Sequence, residues 1–126
     1  MPKVLLVEDD FTMVSLLKTL LVMEKYEVET LLDKSGDVLE NIQKINPDFL
    51  LVDVFLGYRN GLDLVRELRN QPKLNPIRVI MVSGINMSSE CLSAGANAFL
   101  LKPFMPDELM NVLRSQGDAD VRSTNP

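Results

Sequence analysis

Residues 49–57 read FLLVDVFLG. Phe49–Val52 is an unbroken apolar run, which is the pattern of a strand covered on both faces. The run stops on Asp53, a carboxylate where a purely structural strand would keep its apolar character. The same habit recurs on either side. KVLLVEDD, residues 3–10, ends in Glu8, Asp9 and Asp10, and RVIMVSG, residues 78–84, ends in Ser83. Five short apolar runs occur in all: Val4–Val7, Val28–Leu32, Phe49–Val52, Val79–Val82 and Phe99–Leu101. Four are nearly continuous; the second, within VETLL, is more mixed.

Helical periodicity fills the gaps between these runs. Met13, Leu16, Leu17, Leu20 and Leu21 form one apolar stripe with Ser15, Lys18 and Thr19 opposite. Val38, Leu39, Ile42 and Ile45 form a second, closed by Asn46-Pro47, because a residue before proline resists the helical conformation. Leu64, Val65 and Leu68 form a third. Met87 to Ala94 predicts a fourth, with Gly95 as its C-terminal cap. Pro106, Asp107 and Glu108 make a favourable first turn for a fifth helix through Arg114. Five β-α pairs in succession predict an α/β fold: a parallel sheet with helices on both faces. Residues 1–115 read as one domain. The segment 116–126, QGDADVRSTNP, has little to bury and is expected to be a disordered tail or the start of a linker.

Bulk properties narrow the function. The 126 residues suit a single domain with its own core. A net charge of -5 opposes a general nucleic-acid binder, which would show a basic face. One cysteine, Cys91, cannot form an internal disulfide, which fits a reducing compartment. No run approaches a membrane span, and the opening residues, MPKVLL, are expected to lead straight into a strand rather than to be a signal peptide. Histidine is absent, so histidine acid–base catalysis and histidine metal sites are excluded within this sequence.

In an open parallel sheet, ligands bind beyond the carboxyl ends of the strands. The first strand ends at Glu8 and Asp9, the third at Asp53, the fourth at Ser83 and the fifth at Lys102, all on one edge. Carboxylates about 4 Å apart repel by on the order of 4 kcal/mol per pair at an effective dielectric near 20. A hard divalent cation relieves this repulsion, and Mg2+ favours one or two carboxylates with water and phosphate oxygens. A cation, a lysine and a hydroxyl together describe a phosphoryl pocket, and a carboxylate is the available nucleophile. Taken singly, the acids read as a solvated helix start, Ser83 as a loop cap, Lys102 as a surface lysine and Phe99 as core; only their joint occurrence overrides those readings.

LVEDD, LLVDVFLGYRNG, VIMVSG and AGANAFLLKPF, in this order and spacing over residues 3–115, resemble the receiver domain of two-component response regulators, the CheY-like superfamily. The resemblance implies a flavodoxin-like (βα)5 sandwich with strand order 2-1-3-4-5. It implies that Asp53 accepts a phosphoryl group from a phosphohistidine on a sensor histidine kinase or a histidine phosphotransfer protein. Mg2+ would be held by Asp9 directly, by Glu8 through water, and by Asp53 and the backbone carbonyl of Phe55. Lys102 would pair with a phosphoryl oxygen, with a cis Lys102–Pro103 peptide aiming it. Ser83 and Phe99 would form the switch, reshaping the face of helix 4, strand 5 and helix 5. A cytoplasmic regulator, catalysing only its own phosphorylation and dephosphorylation, is implied; a homodimer is admitted, and neither nucleic acid nor membrane is contacted directly.

Three departures from the family pattern stand out. Gly57 occupies a position usually held by proline, which predicts a looser loop. The span from Ser83 to Lys102 is about three residues short. Phe99 lacks the hydroxyl of the frequent tyrosine. Rival readings are an Mg2+-dependent phosphohydrolase using an aspartyl-phosphate, a flavodoxin-like cofactor binder, and a degenerate receiver serving only as a binding module.

Overall fold

The computed structural model describes residues 1–31, 37–57 and 59–124, with side chains described through Gly117. Ten elements alternate along the chain: β1 (Lys3–Val7), α1 (Phe11–Met23), β2 (Glu27–Thr30), α2 (Val38–Ile45), β3 (Phe49–Asp53), α3 (Gly61–Arg69), β4 (Arg78–Ser83), α4 (Ser88–Ala94), β5 (Ala98–Leu101) and α5 (Pro106–Thr124). All strand pairs are parallel, in the order β2-β1-β3-β4-β5. The α/β class and this strand order are those expected from the sequence.

Polar residues at the helix starts supply acceptors for amides that have no intrahelical partner. The Asp10 side chain accepts from Met13 N at 3.1 Å, Asp37 from Glu40 N at 3.2 Å and Asn60 from Leu62 N at 2.7 Å. At the other ends, α2 stops at Asn46 with φ 54° and α4 at Gly95 with φ 116°, the left-handed conformation that closes helices.

Alternation along the strands divides the core in two. Leu5, Val7, Leu50 and Val52 pack on the face covered by α2, α3 and α4, with Ile42, Leu64 and Leu68. Val4, Leu6, Leu51 and Ile80 pack on the opposite face, against Leu17 and Leu21 of α1 and Leu109 and Leu113 of α5. Each fully buried side chain of this kind contributes about 1.5–3 kcal/mol. Burial on both faces is why these strands read as continuous apolar runs.

Local details differ from the sequence reading. On α1, Leu16 is exposed, and Val14 packs at the margin of the core in its place. The second strand covers Glu27–Thr30; Leu31 is buried beyond its end, and Leu32 lies outside the described residues. The fifth helix continues past Arg114 to Thr124, because elongating a nucleated helix is far easier than starting one.

One polar cluster ties the fold together at the end opposite the carboxylates. Arg69, the last residue of α3, donates from Nε to the Gly95 carbonyl at 2.8 Å. It also donates from Nη1 to the carbonyls of Asn75 and Ile77 at 2.7 and 2.8 Å, and from Nη2 to Asn97 Oδ1 at 2.7 Å. Asn97 Oδ1 in turn accepts from Val79 N at 2.7 Å. The guanidinium thus binds the ends of α3 and α4 to the loops feeding β4 and β5. Arg69→Ala strips a donor from four acceptors and is expected to cost about 2 kcal/mol, read as a lower urea midpoint with an unchanged m value. Arg69→Lys recovers only part of this, since an ammonium cannot span the same fork.

Candidate functional site

Strand register brings the candidate residues to one edge. Val7 pairs with Val52, so Glu8 arrives beside Asp53. Asp53 pairs with Val82, and Ser83 with Leu101, so Ser83 and Lys102 follow on the next two strands. The Lys102 amide donates to the Ser83 carbonyl at 2.8 Å, and the Lys102–Pro103 peptide is cis.

Asp53 is buried, with 4% of its surface exposed. An unpaired carboxylate at such a position would cost several kcal/mol. Two donors answer it: the Phe55 amide reaches Oδ1 at 2.8 Å, and Lys102 Nζ hydrogen-bonds Oδ2. The same ammonium lies 3.3 Å from Glu8 Oε2, while Glu8 Oε1 accepts from the amides of Asp9 and Asp10 at 3.0 and 3.1 Å. Glu8, Asp53 and Lys102 are therefore in direct contact. Asp9 is more exposed, and its Oδ2 accepts from the Gly57 amide. Ser83 is fully buried, and its Oγ accepts from Ile85 N at 3.1 Å. Phe99 is half-buried against the core on the α2–α4 face. Phe55 contributes its amide to Asp53, and its side chain is exposed.

The loop from β3 to α3 is better tied than the glycine at 57 predicts. Phe55 and Asn60 form an antiparallel bridge, Gly61 N donates to the Val54 carbonyl at 2.8 Å, and Arg59 pairs with Glu67. The sequence signal for this closure was Asn60-Gly61, a capping residue followed by the one residue that permits close backbone approach.

The model of the response regulator receiver domain matches residues 4–114. The chain belongs to this family. Among curated relatives of this receiver, the phosphate regulon transcriptional regulatory protein PhoB of Rhizobium meliloti is 36% identical over 114 residues, covering 87% of this chain and 49% of PhoB. The chemotaxis protein CheY of Thermotoga maritima is 28% identical, covering 88% and 93%. Among solved structures, the receiver domain of a sensor histidine kinase from Pseudomonas aeruginosa, with magnesium in its active-site cleft, superposes with a TM-score of 0.78 at 27% identity, covering 90% of this chain and 95% of that one. The chain spans about half the length of PhoB and of several other transcriptional regulators it matches.

The receiver's donor set suits a hard cation. Two carboxylates converge on a single ammonium, leaving excess negative charge. Among the described residues no group of three or more His, Cys, Asp or Glu side chains is placed to hold a metal ion. Mg2+ asks for only one or two carboxylates, its shell being completed by other oxygens. No helix among the described residues is long and apolar enough to cross a membrane.

Crowding of the carboxylates registers on Glu8, whose pKa is raised by burial first and then by its contact with Asp53. Burial alone would lower the Lys102 pKa, but the hydrogen bond to Asp53 and the charges of Glu8 and Asp53 outweigh it, and the net shift is upward. An acid whose pKa is raised by folding stabilises the fold fully below its unfolded pKa and loses that stabilisation as pH rises through the folded value. Glu8→Gln, which mimics the protonated side chain, is therefore expected to melt higher than wild type in EDTA at pH 7.5. The gap should close as pH falls below the ordinary glutamate range. Equal melting temperatures at pH 7.5 would contradict this reading.

Proposed function

We propose that Asp53 is the phosphoryl acceptor of this receiver and that the notch around it works with Mg2+. The observation that carries the proposal is the ammonium of Lys102 lying between Asp53 and Glu8 at the end of β3. A buried carboxylate with a cation at its side can take a charged phosphoryl group without a large rise in local repulsion. The donor is a phosphohistidine on a sensor histidine kinase or a phosphotransfer protein. An Asp53 oxygen bonds to phosphorus as the P–N bond breaks, the histidine leaves, and an acyl phosphate remains.

Glu8, Asp9, Asp53 and the Phe55 carbonyl are the residues that would hold Mg2+, which when bound neutralises charge developing on the phosphoryl oxygens. Lys102 pairs with one of those oxygens. Ser83 exchanges the Ile85 amide for another, its hydroxyl turning from acceptor to donor. Release of Ile85 frees the loop before α4, and space beside Ser83 admits the Phe99 ring, so the face of α4, β5 and α5 changes. The output is a change of binding surface rather than turnover of a separate substrate. Such a regulator acts in the cytoplasm by protein contact, with residues 1–115 as the receiver. Intact-mass measurement after acetyl phosphate and Mg2+, with EDTA as the control, tests the proposal; no mass gain in either condition would refute it.

A further inference from the structure

Two exposed apolar side chains flank the buried acceptor. Phe55 is 58% exposed and Ile85 60%, whereas Asp53 and Ser83, two residues before each, are buried. We propose that Phe55 and Ile85 form an apolar cover over phosphorylated Asp53, one that slows attack by water and so sets the lifetime of the acyl phosphate. The inference rests on reading Asp53 as the phosphoryl acceptor.

Hydrolysis of an acyl phosphate has a direction. The water oxygen bonds to phosphorus in line with the P–O bond to Asp53. That bond breaks with its electron pair on the carboxylate, and the water protons leave with inorganic phosphate. Asp53 ends β3 with 4% of its surface exposed, so the leaving oxygen faces the protein and water must arrive from outside. The loops after β3 and β4 bound that approach. The two strands are neighbours, and Val54 N donates to the Val82 carbonyl at 2.9 Å, so the loops leave the sheet together. Each carries its apolar residue on an amide tied to the site: Phe55 N to Asp53 Oδ1 at 2.8 Å, and Ile85 N to Ser83 Oγ at 3.1 Å. The bridge between Phe55 and Asn60 fixes the first loop further. When Ser83 gives up the Ile85 amide for a phosphoryl oxygen, Ile85 is free to settle beside Phe55 over the group. Hydrocarbon there offers water no hydrogen bond, and a site closed to water protects a reactive intermediate from hydrolysis. A polar side chain at either position would hold water near phosphorus, and one such hydrogen bond is worth about fivefold in rate.

The test follows loss of the phosphoryl mass with time, in protein charged with acetyl phosphate and Mg2+ and then freed of excess donor. A polar double variant, Phe55→Asn with Ile85→Thr, should lose the group about tenfold or more faster than wild type. An apolar double variant, Phe55→Leu with Ile85→Val, keeps the cover and should decay at close to the wild-type rate. Both change only exposed side chains, so both should melt close to wild type. Unfolded in concentrated urea, all three phosphorylated proteins should decay at one rate, since the cover is then gone. A wild-type lifetime in the polar variant overturns the inference. So does an equally short lifetime in the apolar variant, which would make the shape of the two side chains decisive instead of the exclusion of water. A difference that persists in urea overturns it as well, placing the cause outside the fold. All three results leave Asp53 standing as the acceptor. A wild-type protein that gains no phosphoryl mass ends the acceptor reading, and this inference with it.

Discussion

Incubated with acetyl phosphate and Mg2+, the wild-type protein gains the mass of one phosphoryl group and Asp53→Asn gains none. Asparagine is nearly isosteric with aspartate, so its Oδ1 can still accept from Phe55 N, the bond seen at 2.8 Å. What it removes is the nucleophilic carboxylate oxygen and the negative partner of Lys102. The ammonium keeps Glu8 Oε2 at 3.3 Å, so the cation is not stranded. Removing one of two crowded carboxylates also relieves repulsion, and the variant should fold at least as well as wild type. A missing mass gain in a folded variant therefore reports chemistry at Asp53. Retained gain in Asp53→Asn would move the phosphoryl group to another carboxylate, Glu8 first, and end the assignment. Steady hydrolysis of a small phosphate ester by the wild type would instead favour the phosphohydrolase reading. Omitting Mg2+ should suppress the gain, since the notch then carries excess negative charge against an anionic donor.

The strand ends were legible because each apolar run broke on a polar residue, and parallel pairing leaves such breaks nowhere to go but one edge. Asp53 is the clearest: four apolar residues precede it, and all five of the strand are buried. Gly95 was legible because a left-handed residue closing a helix is a local demand. What stayed hidden was non-local. Nothing in the residues around Arg69 shows that its guanidinium meets three carbonyls on two separate loops. Gly57 read as a source of looseness, since its partner Asp9 lies in another strand's exit. On α1 the apolar residues are so numerous that the stripe is broad, and the choice between Val14 and Leu16 depends on how the helix is rotated against the sheet. The length of α5 escaped because the pattern beyond Gln116 offers nothing to bury, whereas continuing a helix needs no burial.

Gly61→Ala is expected to combine the largest loss of stability with a direct effect on the site. Gly61 opens α3, and a β-carbon there would lie 2.3 Å from the Asp53 carbonyl oxygen and 3.0 Å from Val54 Cα. Both are buried backbone atoms at the end of β3, so neither can move aside as the end of a long side chain would. The helix must withdraw, weakening the 2.8 Å bond from Gly61 N to the Val54 carbonyl and lifting Leu62, Leu64 and Val65 from the core. Overpacking of this kind costs about 3 kcal/mol, a fall of about 10 °C in melting temperature for a chain of this size. Gly84→Ala is the matched control. It sits at the same edge after Ser83, with nothing within 4 Å of an added β-carbon, and should melt within a few degrees of wild type, by about 2 °C at most in either direction. Because the strain enters through the Asp53 carbonyl, the carboxylate's aim shifts with it. Displacements near 1 Å slow reactions by about 100-fold, so phosphoryl uptake from acetyl phosphate should slow well beyond any loss of folded protein. A Gly61→Ala protein that melts low but takes up phosphate at the wild-type rate would show that Lys102 and the Phe55 amide aim Asp53 without help from the close approach of α3.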